Sequence, residues 1–373
     1  MTTEQIYDIV NSLAQQSMGS AALTVTDLQG LVSLGNVVLS STTNTEAFLN
    51  TLIQRIGKTQ ISFRPYTSKL SDLVYEDMEW GAIVQKIKYE APDAVEDPSA
   101  ELEDGQSVDH YKVYKGKVNQ KLFLTRAPYM FPVTIPDAWI EEAFTGPSQM
   151  GSFLNAIQGE VSNKAELSVE NLGRATIANM IAELGGTERE IKLLTKYKAV
   201  SGDSTITAAT AMVNGDFLRY AVSQIKTYMD MFTDMTTGLF NEDGVTRHTP
   251  YRDQRLKLVT DFVRALESAS YWNAFNEDYV KLVGYTKLNF WQSIQNGSRM
   301  NINVNRASDG DATTVNNVVA VLHDRWAAGT FREYRRVATT PINAAGLYYN
   351  TFWHEKQLWF NDLSENAVIF TLN

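Results

Sequence analysis

The side chains that most often do chemistry are sparse and scattered in this 373-residue chain. It has no cysteine, which excludes disulfides, thiolate metal sites, iron–sulfur clusters and cysteine nucleophiles. Its four histidines, His110, His248, His323 and His354, never stand at metal-ligand spacing, and no His-Glu-x-x-His occurs. There is no Gly-x-x-x-x-Gly-Lys-Ser/Thr loop to cradle phosphates and no Gly-x-Gly-x-x-Gly turn for a dinucleotide. A Gly-x-Ser-x-Gly nucleophile elbow is also missing. Asp309-Gly310-Asp311 resembles a scrap of a calcium loop, but the rest of the twelve-residue ligand pattern is absent, so it reads as a polar turn. The 43 carboxylates leave room for a glycosidase-type pair, yet no spacing singles one out. The expectation is no cofactor, no metal and no catalytic centre.

Charge narrows the partners. The formal net charge is -10, with 33 basic against 43 acidic residues. Gripping nucleic acid through its phosphates needs the opposite balance. One basic cluster, Arg325, Arg332, Arg335 and Arg336, sits with Trp326, Phe331 and Tyr334 and could stack on bases. Ion pairs at an interface are the preferred reading, because one short cluster cannot offset the overall field. The first residues lack the basic start and apolar block of a signal peptide, and no apolar run approaches the about 18 residues that span a bilayer. No membrane is expected, and synthesis in the cytoplasm is.

Four features dominate the elements that would have to position any site. Residues 1–43 begin with Ile6, Ile9, Val10 and Leu13 on one helical face and continue as a Ser/Thr/Gly/Asn-rich stretch dotted with apolar residues, an arm that folds against something else. Residues 45–56 read as a short helix and 59–63 as a strand. A helix opens at Pro136-Asp137. Pro147 then starts a helical pattern that runs to Leu184 and stops at Gly185-Gly186. About 37 residues at 1.5 Å each make a rod of about 55 Å. Gly159 and Gly173 are its weak points. Beyond it, residues 190–200, 256–262, 300–304 and 318–323 read as strands, 217–232 as a helix, and 346–372 as a β-rich tail that returns with 123–130 to one sheet.

The fourth feature is an excursion over residues 80–126. Residues 83–89 go out and 111–124 come back as strands. Between them residues 90–109 carry eight acids and no base, whereas 111–126 carry five bases and no acid. Ordinary solvating charge on a surface hairpin explains this equally well on charge alone. An isolated long hairpin is marginal in water, however, and needs another surface to lie on. The candidate interface residues are therefore Glu96, Asp97, Glu101, Glu103 and Asp104 at the tip and Lys112, Lys115, Lys117 and Lys121 on the return, with Arg332, Arg335 and Arg336 from the basic cluster.

This order of elements resembles the major capsid proteins of tailed bacteriophages, with the Hong Kong ninety-seven type of fold, and most closely the major head proteins of phi-twenty-nine-like podophages. Three stretches carry the likeness: Phe48-Leu49-Asn50-Thr51-Leu52-Ile53-Gln54-Arg55-Ile56-Gly57; residues 153–183 with Asn155-Ala156-Ile157 and Ala165-Glu166; and Gly346-Leu347-Tyr348-Tyr349-Asn350, His354, Gln357 and Asn366-Ala367-Val368-Ile369-Phe370. Ala320-Val321-Leu322, Asp324 and Trp326 fall where that family has a similar strand. The resemblance implies an α+β capsid fold with an N-terminal arm (1–43), a peripheral domain begun by 44–79, an extended hairpin or E-loop (80–126), the peripheral domain with its spine helix (127–189), an axial domain (190–338) and a return to the peripheral domain (339–373). It implies a shell of hexamers and pentamers around double-stranded DNA that is not read by sequence. Portal, scaffolding and decoration proteins would be partners, and the virion the location, with assembly in the host cytoplasm. An added immunoglobulin-like domain is not expected, and no matched lysine–asparagine motif supports cross-linking. An encapsulin-like container and a β-rich hydrolase with an unrecognised carboxylate pair stay open as alternatives.

Overall fold

The computed structural model describes residues 3–18, 24–56, 66–75, 84–105, 107–237, 239–244, 246–271, 284–295 and 299–373. Helices α1 (Thr3–Met18), α2 (Leu28–Leu39) and α3 (Thr42–Ile56) come first. Ile6, Val10 and Leu13 recur at i, i+4 and i+7, so α1 buries one stripe. The Asp27 carboxylate accepts the Gly30 N–H at 2.7 Å and caps α2. Asn11 fastens the connection by accepting the Val25 N–H (2.6 Å) and donating to the Val25 carbonyl (2.8 Å). The opening segment thus rests on the chain's own core, with Leu31, Leu34, Phe48, Phe144 and Met150, so the surface that an arm needs is supplied here within one subunit.

That packing is tight at one glycine. A Cβ on Gly35 of α2 would lie 2.6 Å from the Phe144 Cβ. Alanine favours a helix by about 1 kcal/mol over glycine, but overpacking costs about 1–3 kcal/mol. Gly35→Ala should therefore destabilise by up to about 2 kcal/mol, read as a lower melting temperature. An unchanged or higher value would show that α2 slides freely on Phe144.

Strands β1 (Val84–Glu90) and β2 (Lys117–Phe123) form a hairpin, followed by β3 (Arg126–Pro136), α4 (Asp137–Ala143) and α5 (Pro147–Leu184). The 38 residues of α5 form one uninterrupted helix, about 57 Å long at 1.5 Å per residue. Pro147 opens it, and the Gly185 N–H closes it on the Ile181 carbonyl at 2.9 Å. Gly173 does not break it, and Leu70 packs there, 3.1 Å from where a Cβ would stand. The helix serves two layers. Phe153, Leu154, Ile157 and Val161 pack with Ile135, Tyr349 and Trp353, whereas Ile177, Ile181 and Leu184 pack with Val259, Val318 and Ile369.

The remaining elements are β4 (Glu190–Lys192), α6 (Leu193–Ser201), α7 (Ala208–Ala211), α8 (Gly215–Thr233), β5 (Thr236–Thr237), β6 (Thr246–Arg247), β7 (Gln254–Val259), α9 (Thr260–Tyr271), β8 (Tyr285–Leu288), β9 (Ile302–Asn305), β10 (Ala312–Val315), β11 (Val318–Asp324), β12 (Ala328–Thr339), β13 (Tyr348–Asn361) and β14 (Ala367–Thr371). Two sheets organise them. One is antiparallel in the order β12-β13-β3; the other is mixed, β4-β14-β11-β7-β8. Every residue of β11 and β14 is buried, because α8 and α9 cover one face of that sheet and the end of α5 the other.

Several local expectations change. Residues 190–200 hold only a three-residue strand, paired with β14, before α6 begins. Leu, Lys and Ala there favour a helix, and Leu193 and Leu194 need one to reach the core. Phe262 lies in α9 rather than in β7. The tail divides: β13 joins β3, as expected, but β14 joins β11 in the other sheet. β12, numbered with the axial segment above, pairs with β13. Asp309-Gly310-Asp311 is a turn whose acids meet Arg306 at 2.5 and 3.7 Å. The strand expected at 59–63 lies outside the described residues.

Candidate assembly interface

The β1–β2 ribbon has its faces inverted relative to a hairpin lying in water. The register pairs Lys86 with Lys121, Ile87 with Gln120, Lys88 with Asn119 and Tyr89 with Val118. Side chains alternate across a strand, so Lys86, Lys88 and Lys121 share one face and Ile87, Tyr89, Val118 and Leu122 the other. The lysine face turns inward. Lys86 Nζ lies 2.7 Å from Asp362 Oδ2 and also contacts Glu365. Lys88 stands 3.2 Å from Glu365 and 3.6 Å from Asp362, and donates to the Ser364 hydroxyl. Lys121 reaches Asp362 at 3.3 Å and Asp243 at 3.8 Å, and Arg247 contacts Glu365.

The acids sit in the turn between β13 and β14. The Asp362 side chain is fully buried, its N–H donates to the Ala327 carbonyl at 2.7 Å, and it accepts the Ser364 hydroxyl at 2.5 Å. Burial would raise its pKa, but Lys86, with help from Ser364 and Lys88, holds it far below the ordinary value. Burial also works against the Glu365 carboxylate, and Arg247 and Lys86 together hold its pKa down. Burial lowers Lys88 more than its two acids raise it. Beneath this knot Phe123 meets Phe360 at 5.0 Å, and Tyr75 stacks on Trp326 and Phe331 at 5.0 and 5.2 Å. The root of the hairpin is thereby fixed on its own chain.

Among the described residues the outer face has no such cover. Ile87, Tyr89, Val118 and Leu122 are each more than half exposed, and Tyr111 near the tip is 91% exposed, with Val113 at 73%. Gln85 and Gln120 share this face, opposite Leu122 and Ile87, but four large apolar side chains exposed together still mark a binding face.

The other expected interface residues divide. Glu96, Asp97, Glu103 and Asp104 are exposed, and Asp97 accepts the Ser99 N–H at 2.9 Å to start the turn Pro98–Glu101, which holds Glu101. Lys112 lies 5.2 Å over the Tyr114 ring, and Lys115 and Lys117 are exposed. Lys121 belongs to the root. Arg332 is engaged within the chain, 2.8 Å from Glu166 of α5 and 4.0 Å from Glu355. Arg325 lies over Tyr75 and Trp326. Arg335 stands opposite Glu355 in the ladder, and Arg336, opposite His354, is exposed. Sequence reasoning missed Asp243, Arg247, Asp362 and Glu365. The only signal was lysine at the alternate positions 86 and 88 of a strand.

No cluster that could hold a metal occurs among the described residues. His323 is sealed in β11; burial and then Lys257 push its pKa to about 3, and its Nδ1 lies 2.7 Å from the Asp324 carbonyl oxygen. Lys257 is wholly buried and ion-pairs with Asp72. No described helix is long and apolar enough to cross a membrane.

Comparison with known proteins agrees with a structural role. The major capsid protein of Bacillus phage GA-1 is 25% identical over 370 residues, 98% of this chain and 69% of that protein. The capsid structure of Staphylococcus phage Andhra overlays with a TM-score of 0.54 at 9% identity, over 85% of this chain and 87% of that one. A chain in the structure of head fiber and inner core protein gp22 of native bacteriophage P68 gives 0.51, also at 9%, over the same shares. These two overlays share the α+β capsid fold, and residues 8–371 match the family model described as Phi29-like phage major capsid protein. A chain that matches that model almost end to end belongs to the Phi29-like phage major capsid proteins and is a shell component rather than an enzyme.

Proposed function

We propose that copies of this chain assemble as hexamers and pentamers into a closed shell around packaged double-stranded DNA, each hairpin gripping the next copy. The observation that carries this reading is the two-faced ribbon, with Lys86, Lys88 and Lys121 engaged on its own subunit and Ile87, Tyr89, Val118 and Leu122 outward. A repeated heterologous contact of that kind builds rings and closed shells. The net charge of -10 suits a wall that must not hold its DNA. In this reading α5 with the β12-β13-β3 sheet and the opening helices is the peripheral part. The five-stranded sheet with α8 and α9 is the axial part. Portal, scaffolding and decoration proteins are the further partners, and assembly takes place in the host cytoplasm. A protein-cargo container of the same fold is not favoured by the family match.

The acidic tip then directs the docking. Each exposed ion pair contributes only about 0–1 kcal/mol, but a shell repeats it in every copy, and salt screens it over about 10 Å at 0.1 M. Reversing Glu101, Glu103 and Asp104 to Lys should leave the subunit folded by circular dichroism. Sedimentation should find particle formation lost or misdirected at low salt and partly regained at high salt. Normal particles from this variant at low salt would show that the tip charges merely solvate the hairpin.

A further inference from the structure

The outer edge of the three-stranded sheet has an unusual composition. Among the described residues β3 is the edge strand, and residues 128, 132 and 136 of its eleven are proline. Their phase decides what they do. Just beyond the two ends of β3, the Trp359 N–H donates to the Thr125 carbonyl at 3.1 Å and the Asp137 N–H to the Leu347 carbonyl at 2.9 Å. Backbone groups of an antiparallel strand point alternately to its two sides. The odd-numbered residues of β3 therefore bond to β13, and the even-numbered ones face away. All three prolines are even-numbered. Of the six outward positions, 126 to 136, only Arg126, Met130 and Thr134 keep an N–H. Those donors stand about 14 Å apart, twice the spacing of an ordinary ladder.

We propose that Pro128 and Pro132 close this edge to strand addition, so that copies of the chain meet through side chains and hairpins and not by joining sheets edge to edge. The inference rests on the reading of the chain as an assembling subunit. A shell brings many copies to high local concentration, and an open edge of eleven residues is then a template for wrong pairing. An incoming strand would find no donor opposite two or three of its carbonyls and would meet pyrrolidine rings instead. Pro136 has a second duty as the N-cap residue of α4, so the test leaves it in place. The plainer account is that prolines are merely tolerated where no ladder bond is lost. It predicts that replacing them changes nothing in association.

The test uses the full chain with Pro128→Thr and Pro132→Thr together, threonine being well suited to a strand. Circular dichroism should show native secondary structure, while sedimentation and thioflavin fluorescence at equal concentration show at least a ten-fold rise in irregular, strand-paired aggregates. Adding Met130→Lys and Thr134→Lys, at two outward positions whose side chains are exposed, should return association to the native level, because charge blunts an edge. If the double variant does not fold, Pro128→Thr alone still restores three successive donors at 126, 128 and 130. Native-like association of the folded proline variants would overturn the proposal. So would aggregation that the lysines do not relieve. Both readouts are taken on the subunit before any shell forms, so failure here is distinct from failure of the shell reading.

Discussion

A subunit carrying Asp362→Ala should be about 3 kcal/mol less stable than the native chain, and its hairpin should come loose at the root. Removing one partner of a buried ion pair costs about 3–5 kcal/mol. The low end applies, because the lysines it abandons, Lys86, Lys88 and Lys121, keep between 16% and 36% of their side-chain access to water. Hydrogen exchange should accelerate over residues 84–90 and 117–123 more than over α5. The pH dependence follows from the direction of the shifts. Asp362 and Glu365 both titrate lower in the folded chain than unfolded. Their contribution is fully present above the ordinary carboxylate range near pH 4 and is lost as pH falls through the folded values. Native stability should therefore drop below about pH 4, and that of the variant should drop less. Equal melting and exchange in the two proteins would mean that the knot does not hold the root.

The second large effect concerns assembly and not folding. Ile87→Thr, Tyr89→Thr, Val118→Thr and Leu122→Thr in one chain keep the strand propensity of the ribbon but strip its outer face. Burying an apolar side chain contributes about 1.5–3 kcal/mol, so the four residues together supply a gross about 6–12 kcal/mol per docked hairpin. A few exposed ion pairs at about 0–1 kcal/mol each cannot replace that. The variant should melt like the native chain, be more soluble, and sediment as a monomer at every salt concentration. Salt separates the two variants: charge reversal at the tip is rescued by it and loss of the apolar face is not. Particles formed in normal yield by the four-threonine chain would remove the ribbon from the interface.

The parts of this fold that were legible in the sequence are those determined by near neighbours. Pro147 and Gly185 bracket α5, and the alternation from Val84 to Glu90 announces a strand. Charge segregation between residues 90–109 and 111–126 marks the excursion as a unit. What was illegible depends on distance along the chain. Lys86 finds Asp362 and Glu365 some 276 and 279 residues away, and no local pattern says which acid a lysine will meet. Lys121 and Arg332 looked like interface residues because sequence gives their charge but not their partners Asp243, Asp362, Glu166 and Glu355. Residues 190–200 misled because three strand-forming residues precede a run whose helical preference is overt only once Leu193 and Leu194 are known to be buried. The apolar tail from Ala367 to Leu372 was plainly a core strand, but which of two sheets it enters is decided by pairing with Val318–Asp324, not by its own residues.

The measurement that bears most directly on the account is electron cryomicroscopy of particles assembled from this chain, at a resolution that separates side chains. Ile87, Tyr89, Val118 and Leu122 should lie buried against the next copy, while Lys86, Lys88 and Lys121 remain on Asp362, Glu365 and Asp243 of their own. Particles in which that apolar face stays open to solvent, or folds back on its own subunit, would contradict it.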